Sequence, residues 1–177
     1  MSESTRRRLV ALALVAGILA LAGCGGGGDK IEQPLVAAEE RTANVDQLLS
    51  DGAAWLRGGI TSQELQPTVA EAKDDLARID EGELEGIAPG TVELQEQPID
   101  FTEPEATDAD LTATEAAALS LLQVKRFCGA AVDRLDAALE QGDGPPEEAA
   151  AEIADLLEAC SRAKQVQGVA FERLSGE

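Results

Sequence analysis

The sequence feature that most constrains the fold is a pair of cysteines placed symmetrically about a turn. Cys128 and Cys160 are equally distant from Gly144, which lies in the run Gly142-Asp143-Gly144-Pro145-Pro146. In an antiparallel helical hairpin, residues equally far from the turn face each other. Small neighbours allow the close approach that a disulfide requires, namely Gly129, Ala131, Ala159 and Ala163. The sequence therefore predicts a disulfide between Cys128 and Cys160.

Apolar rows with helical spacing predict a long helix on each side of this turn. The third predicted helix is capped by Asp110 or Thr112, has Glu115 in its first turn and continues to about Gln141. Its row comprises Leu121, Val124, Cys128, Ala131, Leu135 and Ala138. The fourth follows Pro145-Pro146, where the missing amide hydrogens cost nothing. Its row comprises Ala149, Ile153, Leu156, Cys160, Ala163, Gln167, Ala170 and Leu174.

Two further helices are predicted in the first half of the chain. The first runs from about Leu35 to Leu56 and stops at Gly58-Gly59. Thr61 and Glu64 then have the spacing of a capping box. The helix that follows carries Leu65, Val69, Ala72, Leu76 and Ile79 on one face.

The remaining internal segment, 82–109, is interrupted by glycine and proline too often for a helix. With three Phe, one Trp and no Tyr, the core must be built from Leu, Val, Ile and Ala, which favours close-packed helices over strands. We therefore expect an all-α fold. It is an up-down bundle of about four helices, with an irregular 82–109 crossover and a C-terminal α-hairpin stapled by the disulfide.

Residues 1–23 have the three parts of an export signal. Arg6, Arg7 and Arg8 form a positive start, residues 9–22 are uncharged, and small residues precede Cys24. The uncharged run of 14 residues is short for a bilayer core of ~30 Å, which needs about 20 helical residues. The pattern is therefore typical of a signal peptide that is cleaved rather than retained.

The segment Leu21-Ala22-Gly23-Cys24 resembles the lipobox of bacterial lipoprotein precursors. This resemblance covers residues 1–24. It implies that Cys24 receives a diacylglyceryl group on its sulfur and becomes the N-terminus when 1–23 are removed. Acylation by two chains supplies stable membrane anchoring. An ordinary signal peptide that ends near a cysteine is the alternative, and Thr5-Arg6-Arg7-Arg8-Leu9-Val10 also resembles a twin-arginine signal.

The same resemblance divides the chain and gives it a location. We expect a lipidated cysteine with a glycine-rich tether over 24–33 and a single helical domain over 34–177. The domain would lie at the extracytoplasmic face of the cell membrane. With Cys24 lipidated, Cys128 and Cys160 remain as an even pair in an oxidising compartment.

Charge and composition narrow the functional classes. The chain has 14 basic and 34 acidic residues. Removal of three arginines and one glutamate with 1–23 leaves 11 and 33, a net charge of −22. This balance argues against nucleic acid as a partner. Histidine is absent, which removes Ser-His and Cys-His nucleophile pairs and most catalytic zinc sites. We expect no enzymatic activity and no cofactor other than the covalent lipid.

Two features could bind a ligand. Five carboxylates fall within the segment Ile99–Asp110, namely Asp100, Glu103, Glu105, Asp108 and Asp110. Oxygen-rich loops of this kind can hold Ca²⁺, although the spacing lacks the glycine and terminal glutamate of an EF-hand. The other interpretation is that these carboxylates are solvated and lead into a helix. Trp55 is either the wall of a ligand pocket or, at helical spacing with Leu48 and Leu49, an anchor of the core; we favour the anchor.

Two functional hypotheses follow. The first is a non-enzymatic lipoprotein of the cell envelope that acts through its helical surface on another envelope protein or as a spacer. The second is a lipoprotein that captures a small molecule or a cation near the 82–110 crossover. A dry, closed bundle favours the first, and an apolar cavity near Trp55 and Phe101 would favour the second.

Overall fold

The computed structural model of the protein describes residues 29–89, 111–142 and 144–176. In these three ranges all regular structure is helical. The helices are α1 (Asp29–Glu40), α2 (Val45–Leu56), α3 (Ser62–Ala77), α4 (Glu81–Ile87), α5 (Ala113–Leu139) and α6 (Glu147–Ser175). The all-α bundle predicted from the apolar rows is thus confirmed. None of the helices in the described ranges is both long enough and apolar enough to cross a membrane.

Helices α5 and α6 form the antiparallel hairpin that the cysteine spacing predicts. Cys128 and Cys160 are joined by a disulfide, and their Cα atoms lie 4.6 Å apart. Both cysteines are fully buried. The predicted row of α5 is buried along its length. In α6, Leu157 enters the core in place of the predicted Leu156, which is half-buried like Leu174.

Helices α2 and α3 form a second antiparallel hairpin that packs on the first. Gly58 has a positive φ of 70° at the end of α2, and the amide of Gly59 donates to the carbonyl of Ala54 at 2.8 Å. This is the hydrogen-bond pattern of a Schellman motif, for which glycine is preferred. The stop predicted at Gly58-Gly59 is therefore confirmed.

Capping boxes begin both α3 and α5, at Thr61 with Glu64 and at Thr112 with Glu115. The amide of Thr61 donates to Glu64 Oε2 at 2.8 Å, and the Thr61 hydroxyl accepts from the Glu64 amide. Hydrogen bonds from the Thr61 amide and then its hydroxyl lower the pKa of Glu64, and those from the Thr112 hydroxyl and then its amide lower the pKa of Glu115. Of the two caps considered for α5, the structure uses Thr112.

The prediction of one helix over 35–56 is wrong. Two helices cover this region and are separated by a tight turn over 41–44, and the first of them begins at Asp29 rather than Leu35. In the turn the amides of Arg41 and Thr42 donate to the carbonyls of Ala38 and Glu39 at 3.1 and 2.9 Å. The Thr42 hydroxyl also donates to the Glu39 carbonyl at 2.8 Å, a local bond that competes with helix continuation.

The prediction that the chain becomes irregular at residue 82 is wrong for its first part. Gly82 and Gly86 lie inside the short helix α4, which begins at a cap where Asp80 Oδ1 accepts from the Glu83 amide at 3.1 Å. Leu84 of α4 is buried. The burial of Leu84 and the cap together outweigh the low helix propensity of glycine. The rest of the predicted crossover, 90–109, lies outside the described residues.

The first half of α5 is the most enclosed part of the described fold. All residues from Ala117 to Val124 are buried, because α1 and α4 pack against α5 in addition to α3 and α6. Lys125 fixes the start of α4 there. Its ammonium donates to the carbonyl of Ile79 at 2.7 Å and pairs with Glu81 at 2.8 Å.

Helix α2 lies in close contact with the α5–α6 hairpin at Gly52. A Cβ atom at this position would lie 3.1 Å from Leu157 Cδ1 and 3.6 Å from Leu135 Cδ1. Glycine is therefore used here to let two helices approach rather than to allow an unusual backbone angle.

The disulfide predicts a large loss of stability on reduction. The cysteines are 32 residues apart, and closing a loop of this size removes denatured-state entropy worth about 3.5–4 kcal/mol on the loop model. Urea unfolding with and without a reductant should differ by approximately that amount. The double variant Cys128→Ala/Cys160→Ala is the matched control, and its stability should not change with the reductant. An equal change in both proteins would contradict a stabilising role of the disulfide.

Gly52→Val should destabilise the protein by about 1–3 kcal/mol, because its methyl groups would overlap Leu157 and Leu135. The control is Gly129→Ala, since nothing lies within 4 Å of a Cβ atom at Gly129 in the middle of α5. That variant should be stabilised by up to about 1 kcal/mol through helix propensity. Thermal or urea unfolding of both variants checks the pair, and equal effects would show that α2 is not in close contact at Gly52.

Candidate functional site

The sites predicted from the sequence are only partly within the described residues. Cys24 and the five carboxylates Asp100, Glu103, Glu105, Asp108 and Asp110 lie outside them, so the lipid site and the cation site stay predictions. Cys128 and Cys160 are within them and form the predicted disulfide. In the described ranges, no group of three or more Cys, Asp or Glu side chains is arranged to hold a metal ion.

Trp55 is an anchor of the core, as its spacing predicted. Its side chain is fully buried, and the indole N–H donates to Ser62 Oγ at 3.1 Å. Ser62 Oγ in turn donates to the carbonyl of Gly142 at 2.9 Å. This chain of two bonds joins the end of α2, the start of α3 and the α5–α6 turn, so Trp55 is committed to packing rather than to a ligand.

A cleft of about 670 Å³ lies between the α1–α2 turn and the second half of α6. Its walls come from the end of α1, the turn, the first half of α2 and α6. The lining residues are Glu39, Glu40, Thr42, Ala43, Asp46, Leu49, Ser161, Lys164, Gln165, Gln167 and Gly168. We call this the turn–α6 cleft.

A buried polar network forms the inner wall of the turn–α6 cleft. Gln167 Nε2 donates to Thr42 Oγ1 at 2.9 Å, and Lys164 Nζ lies 3.2 Å from the same hydroxyl oxygen. The Glu39 carbonyl, at 2.8 Å, is a nearer acceptor for the one hydrogen of the Thr42 hydroxyl than Gln167 Oε1, at 3.2 Å. The hydroxyl oxygen then accepts from Gln167 Nε2 and Lys164. Thr42 and Gln167 are buried, and each stabilises the other across 125 residues of sequence.

Lys164 brings a positive charge into this wall. Its ammonium also donates to the carbonyl of Thr42 at 3.3 Å, and it lies 3.8 Å from Asp46 Oδ2. The other charged groups that line the cleft are the carboxylates of Glu39 and Glu40. The donors of Lys164 are thus directed at the α1–α2 turn, which makes Lys164 a clamp between α6 and the N-terminal helices.

A second, smaller pocket of about 110 Å³ lies where α1 meets α4. Its lining includes two arginines, Arg41 and Arg78, and two carboxylates, Asp80 and Glu83. Arg78 also pairs with Asp75 at 3.5 Å. This pocket borders the first residues of the segment that the sequence pointed to as a ligand-binding crossover.

Sequence reasoning missed the turn–α6 cleft. Gln167 was placed correctly in the apolar row of α6, but nothing in the local pattern connects it to Thr42. A polar residue inside an otherwise apolar row is the signal that could have been used, because a buried amide requires a hydrogen-bond partner.

Comparison with known proteins adds no family assignment: the chain matches no family model, no curated protein and no solved structure.

The buried network predicts that Thr42→Val is costly. Valine has the shape of threonine without the hydroxyl, so the buried Gln167 amide would lose its partner, at a cost of about 1–3 kcal/mol. The control is Thr68→Val, which removes a hydrogen bond of 2.9 Å to Asp51 at a partly exposed position. Urea unfolding should show the larger loss for Thr42→Val; equal losses would mean that the Thr42–Gln167 contact does not stabilise the fold.

Proposed function

We propose that this protein is a lipid-anchored, extracytoplasmic lipoprotein that acts without enzymatic activity, as an interaction or structural module of the cell envelope. The single observation that carries the anchoring is the sequence Leu21-Ala22-Gly23-Cys24 after a positively charged start and an uncharged run. The disulfide of the hairpin fits this location, because disulfides persist in oxidising compartments.

A role as an interaction module or a spacer is supported by the packing and hydrogen bonding of the core. The core is filled by aliphatic side chains around the fully buried Trp55. The polar groups close to Trp55 are engaged with one another, as the bonds of Ser62 to Trp55 and Gly142 illustrate. The surface of the helices is therefore the part that is available to a partner.

Capture of a small molecule is the second candidate, and the turn–α6 cleft is the observation that favours it. The cleft is wide enough for a small organic molecule and is lined by both apolar and polar groups. Its position differs from the 82–110 crossover that the sequence suggested. Glu39, Glu40 and Asp46 would favour a neutral or cationic ligand over an anion.

The anchoring is tested by intact-mass analysis of protein extracted from membranes with detergent. The wild-type protein should have lost residues 1–23 and gained a diacylglyceryl group on Cys24. Cys24→Ser should keep residues 1–23 and carry no lipid. Wild-type protein with an unmodified Cys24 would overturn the proposal.

Native mass spectrometry of the same extract separates the two candidate functions. An interaction or structural module should show the mass of the acylated chain, alone or with a protein partner, and no small adduct. Lys164→Ala, which removes the clamp on the wall of the cleft, would then differ from the wild type only by the mass of the substitution. A small-molecule adduct that is present in wild type and lost in Lys164→Ala would favour capture instead.

A further inference from the structure

We propose that the domain stands end-on at the membrane, with one defined end of the bundle against the lipid bilayer. We call this the anchor end; it consists of α1, α4, residues 113–126 of α5 and residues 161–175 of α6. The opposite end carries the α2–α3 turn and the α5–α6 turn, and we call it the turn end. The inference rests on the lipid anchor at Cys24 proposed above and names the part of the surface that the membrane covers.

The covalent distance between the anchor and the fold is short. Cys24 precedes Asp29, the first residue of α1, by five residues, and a fully extended chain spans at most ~3.6 Å per residue, or about 18 Å. Helix α6 has 29 residues and is therefore roughly 43 Å long at ~1.5 Å per residue. Because α1 begins at Asp29, within the tether predicted over 24–33, the part of the tether that precedes the fold is less than half as long as the bundle.

The contacts of α1 place this tether at the anchor end. Helix α1 packs on α4 and α5, and α4 is held beside Lys125 by the 2.8 Å pair with Glu81. Where α1 ends, Thr42 meets Gln167 on the second half of α6. Because Cys128 faces Cys160, residues 113–126 of α5 lie beside the second half of α6. The chain therefore leaves the lipid and enters the fold at this end.

The charges of the α5–α6 hairpin differ between its two ends. In 113–126 and 161–175 the basic residues are Lys125, Arg126, Arg162, Lys164 and Arg173, and the acidic residues are Glu115 and Glu172. In 127–142 and 144–160 the basic residue is Arg134, and the acidic residues are Asp133, Asp136, Glu140, Glu147, Glu148, Glu152, Asp155 and Glu158. An anionic bilayer repels the second group.

Helices α1 and α4 reduce this contrast. They add one basic residue, Lys30, and seven acidic residues to the anchor end, namely Asp29, Glu32, Glu39, Glu40, Glu81, Glu83 and Glu85. Glu81 is paired with Lys125, so part of that charge is compensated within the fold. The anchor end thus has six basic and nine acidic residues, whereas the turn-end half of the hairpin has one and eight. An anionic bilayer therefore repels the turn end more strongly, while the tether keeps the anchor end close.

The exposed apolar side chains agree with this orientation. In the described residues, the large hydrophobic side chains that are exposed are Val36 of α1 and Val169 of α6, at 47% and 50%. Both belong to the anchor end. Aliphatic side chains at a membrane surface lose contact with water without requiring a protein partner.

The orientation is tested with single cysteine variants of the lipidated protein in vesicles of phosphatidylethanolamine and phosphatidylglycerol. Val169→Cys marks the anchor end, Ala154→Cys an exposed position farther along α6, and Gln141→Cys the turn end. Each added cysteine is the one free thiol, since Cys24 is acylated and Cys128 and Cys160 are paired. Energy transfer from a thiol-linked dye to acceptor lipids then measures the height of each position above the bilayer.

We expect the heights to rise in the order 169, 154, 141. The first and the last should differ by roughly 30 Å, since 22 residues of α6 separate position 169 from Glu147, where α6 begins after the turn that holds Gln141. The control is the chain without residues 1–23 and with Cys24→Ser, which has neither the lipid nor the uncharged leader and should show no transfer. Equal heights, or a reversed order, would overturn the end-on arrangement while leaving the anchor intact. Failure of the wild-type protein to carry lipid would overturn both the anchor and the orientation.

Discussion

The close contact between α5 and α6 is the interaction on which the rest of the fold depends. The Cα atoms of Cys128 and Cys160 approach to 4.6 Å, a separation that two helices reach only where small side chains line the interface. Helices α1, α3 and α4 pack on α5, and α2 packs on α6. Gly52 is a second position at which a small residue allows close helix packing, because it lets α2 approach Leu157. A chain with few aromatic residues gains stability by bringing backbones close, which increases the dispersion contacts of small aliphatic side chains.

The parts of this fold that the sequence predicts are those in which local pattern and tertiary contact agree. The rows of α5, α6 and α3, the capping box at Thr61 and the stop at Gly58 all follow from spacing within one element. The break at 41–44 does not, since the partner of Thr42 is Gln167, 125 residues away. The helical state of Gly82 and Gly86 was missed for a related reason: the burial of Leu84 against other elements overrides glycine propensity.

The candidate sites divide in the same way. The disulfide was predictable because two equal distances from a turn define a contact between antiparallel helices. Trp55 was placed in the core because its neighbours share its helical face, although the spacing did not reveal that Ser62 links it to Gly142. The one local signal of the turn–α6 cleft is Gln167 in the apolar row of α6, and the row does not reveal that its partner is Thr42 in the turn between α1 and α2. Two of the four lysines of the chain, Lys125 and Lys164, join the first half of the chain to the α5–α6 hairpin. Their roles depend on carbonyl groups that sequence patterns do not show.

The enclosure of Trp55 has a practical consequence for spectroscopy. It is the single tryptophan of a chain without tyrosine, so nearly all near-ultraviolet emission comes from one indole. That indole reports on one junction, where α2, α3 and the α5–α6 turn meet. A red shift of its emission would signal that this junction has opened, even while the disulfide keeps the two long helices together. The protein thus carries an intrinsic optical probe of local unfolding.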